Sequence, residues 1–137
     1  MSVLYTTSVE AVAGREGRAT SDDKHLDVTL STPKSMGGAG GDGTNPEQLF
    51  GAGYAACFGS ALMLVARQRK INPGTVTITA EVTLNKYEDG FALSVALKGT
   101  LPDVSREQAQ ELMEAAHEVC PYSRATHGNI GVSLSVA

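Results

Sequence analysis

The chain has 137 residues, 42% hydrophobic and 19% charged, with no Trp and a formal net charge of −4. That length fits one domain spanning residues 1–137, able to bury roughly two-thirds of its unfolded surface. The mild acidity argues against a dedicated nucleic-acid binder, which needs clustered Lys and Arg against phosphate. The one compact basic run, Arg67-Gln68-Arg69-Lys70, falls where a helix should end and complements its dipole.

Residues 3–12 read as a first strand, rich in Thr and Ser, with Gly14-Arg15-Glu16-Gly17 as its turn and residues 18–20 beginning the returning strand. The alternation Leu26-Val28-Leu30 predicts another half-buried strand. Residues 33–44 form a glycine-rich connection expected to be mobile. Asn45, Pro46 and Gln48 then read as N-cap, first helical residue and capping-box partner. This helix should run to about Lys70, where Asn72-Pro73-Gly74 stops it. Its residues 49–66 are uncharged for 18 positions, at the threshold of a membrane span. Gly51, Gly53, Gly59, Tyr54 and Ser60 interrupt the run and no second such segment exists. A central helix buried on all sides by sheet, outside any membrane, is the expectation.

Val76-Ile78-Ala80-Val82-Leu84 and Phe91-Leu93-Val95-Leu97 alternate with period two around the turn Glu88-Asp89-Gly90, which reads as a hairpin. Ser105 and Gln108 open a second helix whose Ala109, Leu112, Met113, Ala116 and Cys120 share one face. Pro121 cannot continue that helix, which puts Cys120 in its last turn. Ile130-Val132-Leu134-Val136 supplies the last strand. Strands, a helix, a hairpin, a helix and a final strand make an α+β domain rather than alternating βαβ units. Residues 1–14 have neither a basic nor an apolar signal region, so a cytoplasmic location is expected.

Gly38-Ala39-Gly40-Gly41-Asp42-Gly43 is a literal G-x-G-x-x-G before a helix. Pro33 separates it from the preceding strand, and no Asp or Glu occurs between Glu47 and Glu81 to hold a ribose. A flexible connector is the better reading. The two cysteines, Cys57 and Cys120, are the sharper lead. In a reducing compartment such a pair is seldom a permanent staple. There is no C-x-x-C, and His25, His117 and His127 are scattered, so metal binding is not expected. Cys57 lies in an apolar run that would raise its pKa, and reactivity would need a nearby cation from among Arg15, Arg18 and Arg124. Spacing alone leaves two inert core thiols and a redox pair equally open.

The segment Thr44-Asn45-Pro46-Glu47-Gln48-Leu49-Phe50-Gly51-Ala52-Gly53-Tyr54-Ala55-Ala56-Cys57-Phe58, with Cys120-Pro121-Tyr122-Ser123 far downstream, resembles the organic hydroperoxide resistance proteins. These are thiol peroxidases within the osmotically inducible protein C superfamily. The likeness extends to Gly14-Arg15-Glu16-Gly17-Arg18-Ala19, Leu30-Ser31-Thr32-Pro33 and Gly128-Asn129-Ile130, and so covers nearly the whole chain. It implies an antiparallel-rich sheet wrapped around the long central helix, with a second amphipathic helix, in an intertwined homodimer. It further implies that Cys57 is the peroxidatic thiolate, Cys120 the resolving thiol, Arg15 the thiolate-stabilising cation and Glu47 the carboxylate that orients Arg15. No cofactor is implied. The substrate would be an organic hydroperoxide, with fatty-acid peroxides favoured, and the reductant a dithiol such as protein-bound dihydrolipoamide.

Glu47 and Cys57 are ten residues apart, about 15 Å along one straight helix. Either Arg15 bridges much of that gap or Glu47 serves the Cys57 of a second subunit; the second is the expectation, as the resemblance also implies. Phe50, Tyr54, Phe58 and Tyr122 are plain core residues or an apolar lining for the peroxide tail. Arg124 stands where the family commonly has Asn, and His127 where Arg or Lys is common; neither is assigned a catalytic role. Two alternatives on the same fold are a non-catalytic carrier of hydrophobic ligands and a redox sensor that relays its disulfide.

Overall fold

Strand pairing starts later than the Thr- and Ser-rich opening suggests. The computed structural model describes residues 1–137, which divide into two units, Met1–Leu49 and Phe50–Ala137. Of the expected strand over residues 3–12 only Val9–Val12 (β1) is strand, while Val3, Leu4 and Tyr5 are exposed and belong to no element. β propensity does not make a strand where no neighbouring backbone is present to pair with. β1 pairs antiparallel with Arg18–Ser21 (β2), and β2 with Asp27–Thr29 (β3). The turn between β1 and β2 is tight: Ala13 and Gly14 have φ of 62° and 57°, and residues Gly14–Glu16 form a 3₁₀ turn. A Cβ on Gly17 would lie 1.6 Å from the Val12 carbonyl oxygen, so no other residue fits there.

The glycine-rich connection is tied down rather than free. Gly38 N–H donates to the Pro33 carbonyl, Gly40 N–H to that of Thr32, and Gly43 N–H to Ser31 Oγ at 2.6 Å. Thr44 bridges in parallel to Leu30. A Cβ on Gly38 would come within 2.3 Å of the Thr32 carbonyl oxygen. Close approach of the chain to itself explains this glycine, and the nucleotide-like spacing is incidental.

Pro46–Gln68 (α1) starts as expected, with Asn45 Oδ1 accepting from the Gln48 N–H at 2.9 Å. The reciprocal half of the capping box is replaced, because the Gln48 side chain accepts from the Thr44 hydroxyl at 2.6 Å. At the other end Ile71 N–H bonds to the Ala66 carbonyl and Lys70 N–H to that of Arg67, with Lys70 at φ 59°. This is the Schellman pattern, with Lys where glycine is usual.

In the second unit α1 packs Tyr54, Phe58, Ala61, Leu62, Val65 and Ala66 into the core. Its opposite face, including Ala52, Ala56, Met63 and Leu64, is exposed. The chain alone thus covers one face of a helix expected to be buried all round. A long uncharged run signals apolar surroundings without saying which chain supplies them.

Thr77–Tyr87 (β4) and Gly90–Thr100 (β5) form a long hairpin across the two-residue turn Glu88-Asp89. Glycines bring β4 close to α1: a Cβ on Gly51 would sit 3.3 Å from Val82 Cγ2, and one on Gly59 3.5 Å from Ile78 Cγ1. Arg106–Val119 (α2) carries the full Ser105/Gln108 capping box and buries Ala109, Leu112, Met113 and Ala116. For side chains the size of Leu112 and Met113, burial is worth about 1.5–3 kcal/mol each. Cys120 ends α2 and at once begins Pro121–Thr126 (α3), a helix absent from the sequence expectation. Proline stops a helix it interrupts but favours the first position of the next. Val132–Val136 (β6) then returns parallel to β5, giving the order β4-β5-β6. A parallel neighbour needs a long crossover, here supplied by α2 and α3. With three antiparallel pairs to one parallel pair, the α+β class and the antiparallel bias hold, but in two three-stranded sheets.

Candidate functional site

Two pairs of candidate residues are brought together, one in each unit. In the first unit Arg15 sits at the tip of the β1–β2 turn, and Glu47 is in the first turn of α1, where a carboxylate complements the helix dipole. Arg15 Nη1 donates to Glu47 Oε2 at 3.0 Å, and Nη2 lies 2.8 Å from Oε1. Oε1 is buried and makes no aligned hydrogen bond, so its contact with Nη2 is mainly electrostatic. One hydrogen bond and one close ionic contact restrain the guanidinium and leave its other N–H groups to act elsewhere.

In the second unit Cys57, midway along α1, faces Cys120 at the α2–α3 junction. Their sulfurs are 3.5 Å apart and unbonded. Cys120 has no exposed surface, whereas Cys57 is half-buried. Burial pushes the Cys57 thiol up, and the Cys120 sulfur adds to this through its hydrogen bond and its charge, while the backbone N–H of Tyr122 opposes it. None of these contributors is a cation, and Arg124 is not among them. Thiolate is the nucleophilic form, so these surroundings alone keep Cys57 protonated and slow.

Four aromatic rings flank the thiols. Tyr54 lies 5.8 Å from Phe50, 5.7 Å from Tyr122 and 6.4 Å from Phe58, centroid to centroid. Tyr54 and Phe58 are fully buried, and Tyr122 is 38% exposed. The Tyr122 ring lies flat enough on α1 that a Cβ on Gly53 would be 2.6 Å from its hydroxyl oxygen.

A buried polar network beneath these rings was not anticipated from sequence. The Tyr54 hydroxyl is 2.8 Å from Ser123 Oγ and 3.1 Å from Thr126 Oγ1. Ser123 Oγ is also 2.8 Å from His117 Nδ1, and the Thr126 hydroxyl donates to the Ser123 carbonyl. Burial, followed by the charge on His127, holds His117 below the usual imidazole range. His117 and Ser123 of this network, with Glu118, Arg124 and His127, also line a surface pocket of about 250 Å³. A larger concavity of about 400 Å³, along β4–β6, contains no thiol or imidazole and has no part in this chemistry. The spacing of Ser123 and Thr126, one turn apart after a helix-starting proline, was the available signal for α3 and its buried face.

Two thiols within reach of each other and an exposed side to the first suit reversible oxidation: attack by one sulfur, capture by the other. The OsmC-like protein family matches residues 38–135. The chain is 54% identical to the organic hydroperoxide resistance protein of Xanthomonas axonopodis pv. citri, over 98% of this chain and 96% of that protein. It is 49% identical to organic hydroperoxide resistance protein OhrB of Bacillus subtilis, covering 97% of this chain and 98% of the relative. The crystal structure of that OhrB superposes with a TM-score of 0.90 over 98% of this chain and all of the other. One from Legionella pneumophila superposes at 0.94, with 47% identity and 99% of both chains covered.

Proposed function

This chain belongs to the OsmC-like family, among the organic hydroperoxide resistance proteins, and from that premise we propose that it is a cofactor-free, dithiol-dependent peroxidase of organic hydroperoxides. The observation that carries the reading is the 3.5 Å approach of the Cys57 and Cys120 sulfurs. The Cys57 thiolate attacks the distal oxygen of ROOH; the O–O bond breaks, RO⁻ leaves and takes a proton as ROH, and Cys57 becomes a sulfenic acid. The Cys120 thiol then displaces hydroxide from that sulfur, which leaves as water with the thiol proton, and the Cys57–Cys120 disulfide forms. A dithiol, for which protein-bound dihydrolipoamide is the proposed source, reduces the disulfide and is itself oxidised to a disulfide.

Burial raises the Cys57 pKa, so the first step needs a cation, and Arg15 is assigned that role with Glu47 holding its fork. Phe50 and Tyr122 are assigned to an apolar lining that favours alkyl and fatty-acid peroxides over hydrogen peroxide, with the buried Tyr54 and Phe58 behind them. The exposed apolar side chains of α1 and of residues 3–12 support a homodimer in which a second copy covers them. The working location proposed is the cytoplasm.

Thiol titration with cumene hydroperoxide tests the reading. Loss of two thiols per chain at one equivalent, followed by many turnovers with a small dithiol, is the expected result. Unchanged thiols would favour a hydrophobic-ligand carrier, and a single slow turnover would favour a redox sensor.

A further inference from the structure

Cys57 and Cys120 form one of two neighbouring rungs between the same pieces of backbone. The other is Tyr54 with Ser123: Tyr54 precedes Cys57 by three residues on α1, and Ser123 follows Cys120 by three. His117, three residues before Cys120 on α2, bonds the same Ser123 oxygen. The His117–Ser123 bond therefore spans the bend at which Cys120 sits, clasping the last turn of α2 to the first turn of α3. With only six residues, α3 is far too short to hold itself as a helix. Its geometry depends on what it is tied to.

The hydroxyl protons admit one arrangement that satisfies all four contacts. Thr126 gives its proton to the Ser123 carbonyl, so it accepts from Tyr54. Tyr54 then accepts from Ser123. Ser123 has no proton left, so His117 Nδ1–H is the donor to Ser123 Oγ. The clasp thus requires a donor at the Nδ1 position, which the neutral ring supplies as one tautomer.

Resting on the peroxidase reading above, we propose that His117 is a positioning residue for disulfide closure: by donating to Ser123 it holds the α2–α3 bend so that Cys120 stays facing Cys57 once Cys57 carries a sulfenic oxygen. The closing step is Cys57–SOH + Cys120–SH → Cys57–S–S–Cys120 + H₂O. Its competitor is a second peroxide, which converts Cys57–SOH to the sulfinic acid and releases another ROH. A loosened bend slows the first reaction and leaves the second untouched.

Single-turnover oxidation of the full chain by cumene hydroperoxide, with quench and mass analysis, separates the steps. Wild-type protein that forms no disulfide would sink the peroxidase reading, and this proposal with it. Given a wild-type disulfide, His117→Leu and Ser123→Ala should close about tenfold or more slowly, as expected when a reacting group is misplaced. Both should accumulate sulfinic Cys57 under excess peroxide, with the rate of the first oxidation within about twofold of wild type. His117→Asn, which keeps an N–H donor, should close at close to the wild-type rate, and His117→Asp, an acceptor only, should not. Unchanged closure in His117→Leu and Ser123→Ala, equal loss of both steps in these variants, or no rescue by Asn would each overturn the assignment.

Discussion

Removing the Tyr54 hydroxyl tests the buried network through its effect on stability. In Tyr54→Phe the side chain remains fully buried, but Ser123 loses the acceptor for its proton and Thr126 loses a donor. The imidazole can absorb this change. If His117 moves its proton from Nδ1 to Nε2, Ser123 Oγ–H donates to Nδ1 instead, so no buried donor is stranded and the net loss is the two hydrogen bonds of the Tyr54 hydroxyl, about 2 kcal/mol. In a His117→Leu background that escape is closed, and a buried hydroxyl donor is stranded at about 1–3 kcal/mol more. The two substitutions should therefore be non-additive, with a coupling of at least about 1 kcal/mol, well outside the ~0.3–0.5 kcal/mol scatter of independent sites. Urea denaturation of wild type, both single variants and the double variant at one fixed protein concentration measures the cycle. Additivity within about 0.3 kcal/mol would refute the proton arrangement.

Other consequences are kinetic. Arg15→Ala should leave Cys57 with a thiol above its ordinary range, hence at most about 3% thiolate at pH 7. Stopped-flow oxidation at that pH should slow by at least about 30-fold and recover as pH rises; a rate within about threefold of wild type would remove Arg15 from the thiolate. Gly53→Ala should gain about 1 kcal/mol of helix propensity and force the Tyr122 ring outward, because the new Cβ would lie 2.6 Å from its hydroxyl oxygen. Unfolding free energy should therefore hold or rise while kcat/KM for cumene hydroperoxide falls; an unchanged kcat/KM would argue against Tyr122 as lining. Mixed subunits carrying Glu47→Ala and Cys57→Ser should regain activity that neither variant has alone, and no regain would count against sharing of the site between copies.

The legible parts of this chain were those governed by local chemistry. The Ser105/Gln108 box, the period-two strands of the β4–β5 hairpin and the α1 start at Asn45 all follow from neighbours a few residues apart. The Arg15–Glu47 fork and the Cys57–Cys120 approach link residues 32 and 63 positions apart, and no periodicity announces such pairs; the family likeness pointed to them. Three features stayed hidden for physical reasons. Pro121 signals an end because proline breaks helices, whereas here it also begins one. The glycines of residues 33–44 looked like freedom but serve close backbone contact. Ser123, Thr126 and His117 are ordinary polar residues in sequence, and their value comes from a hydroxyl that α1 delivers to them.

The central claim is that the two sulfurs meet covalently in turnover. Mass spectrometry of tryptic peptides after one equivalent of cumene hydroperoxide, with free thiols alkylated before digestion, asks this directly. The expected product is a single intramolecular cross-link joining the Cys57 and Cys120 peptides, absent from Cys120→Ser, which should instead show Cys57 sulfenic and sulfinic acids. Peptides alkylated at both cysteines in the treated wild type, or oxidation confined to Cys120, would contradict it.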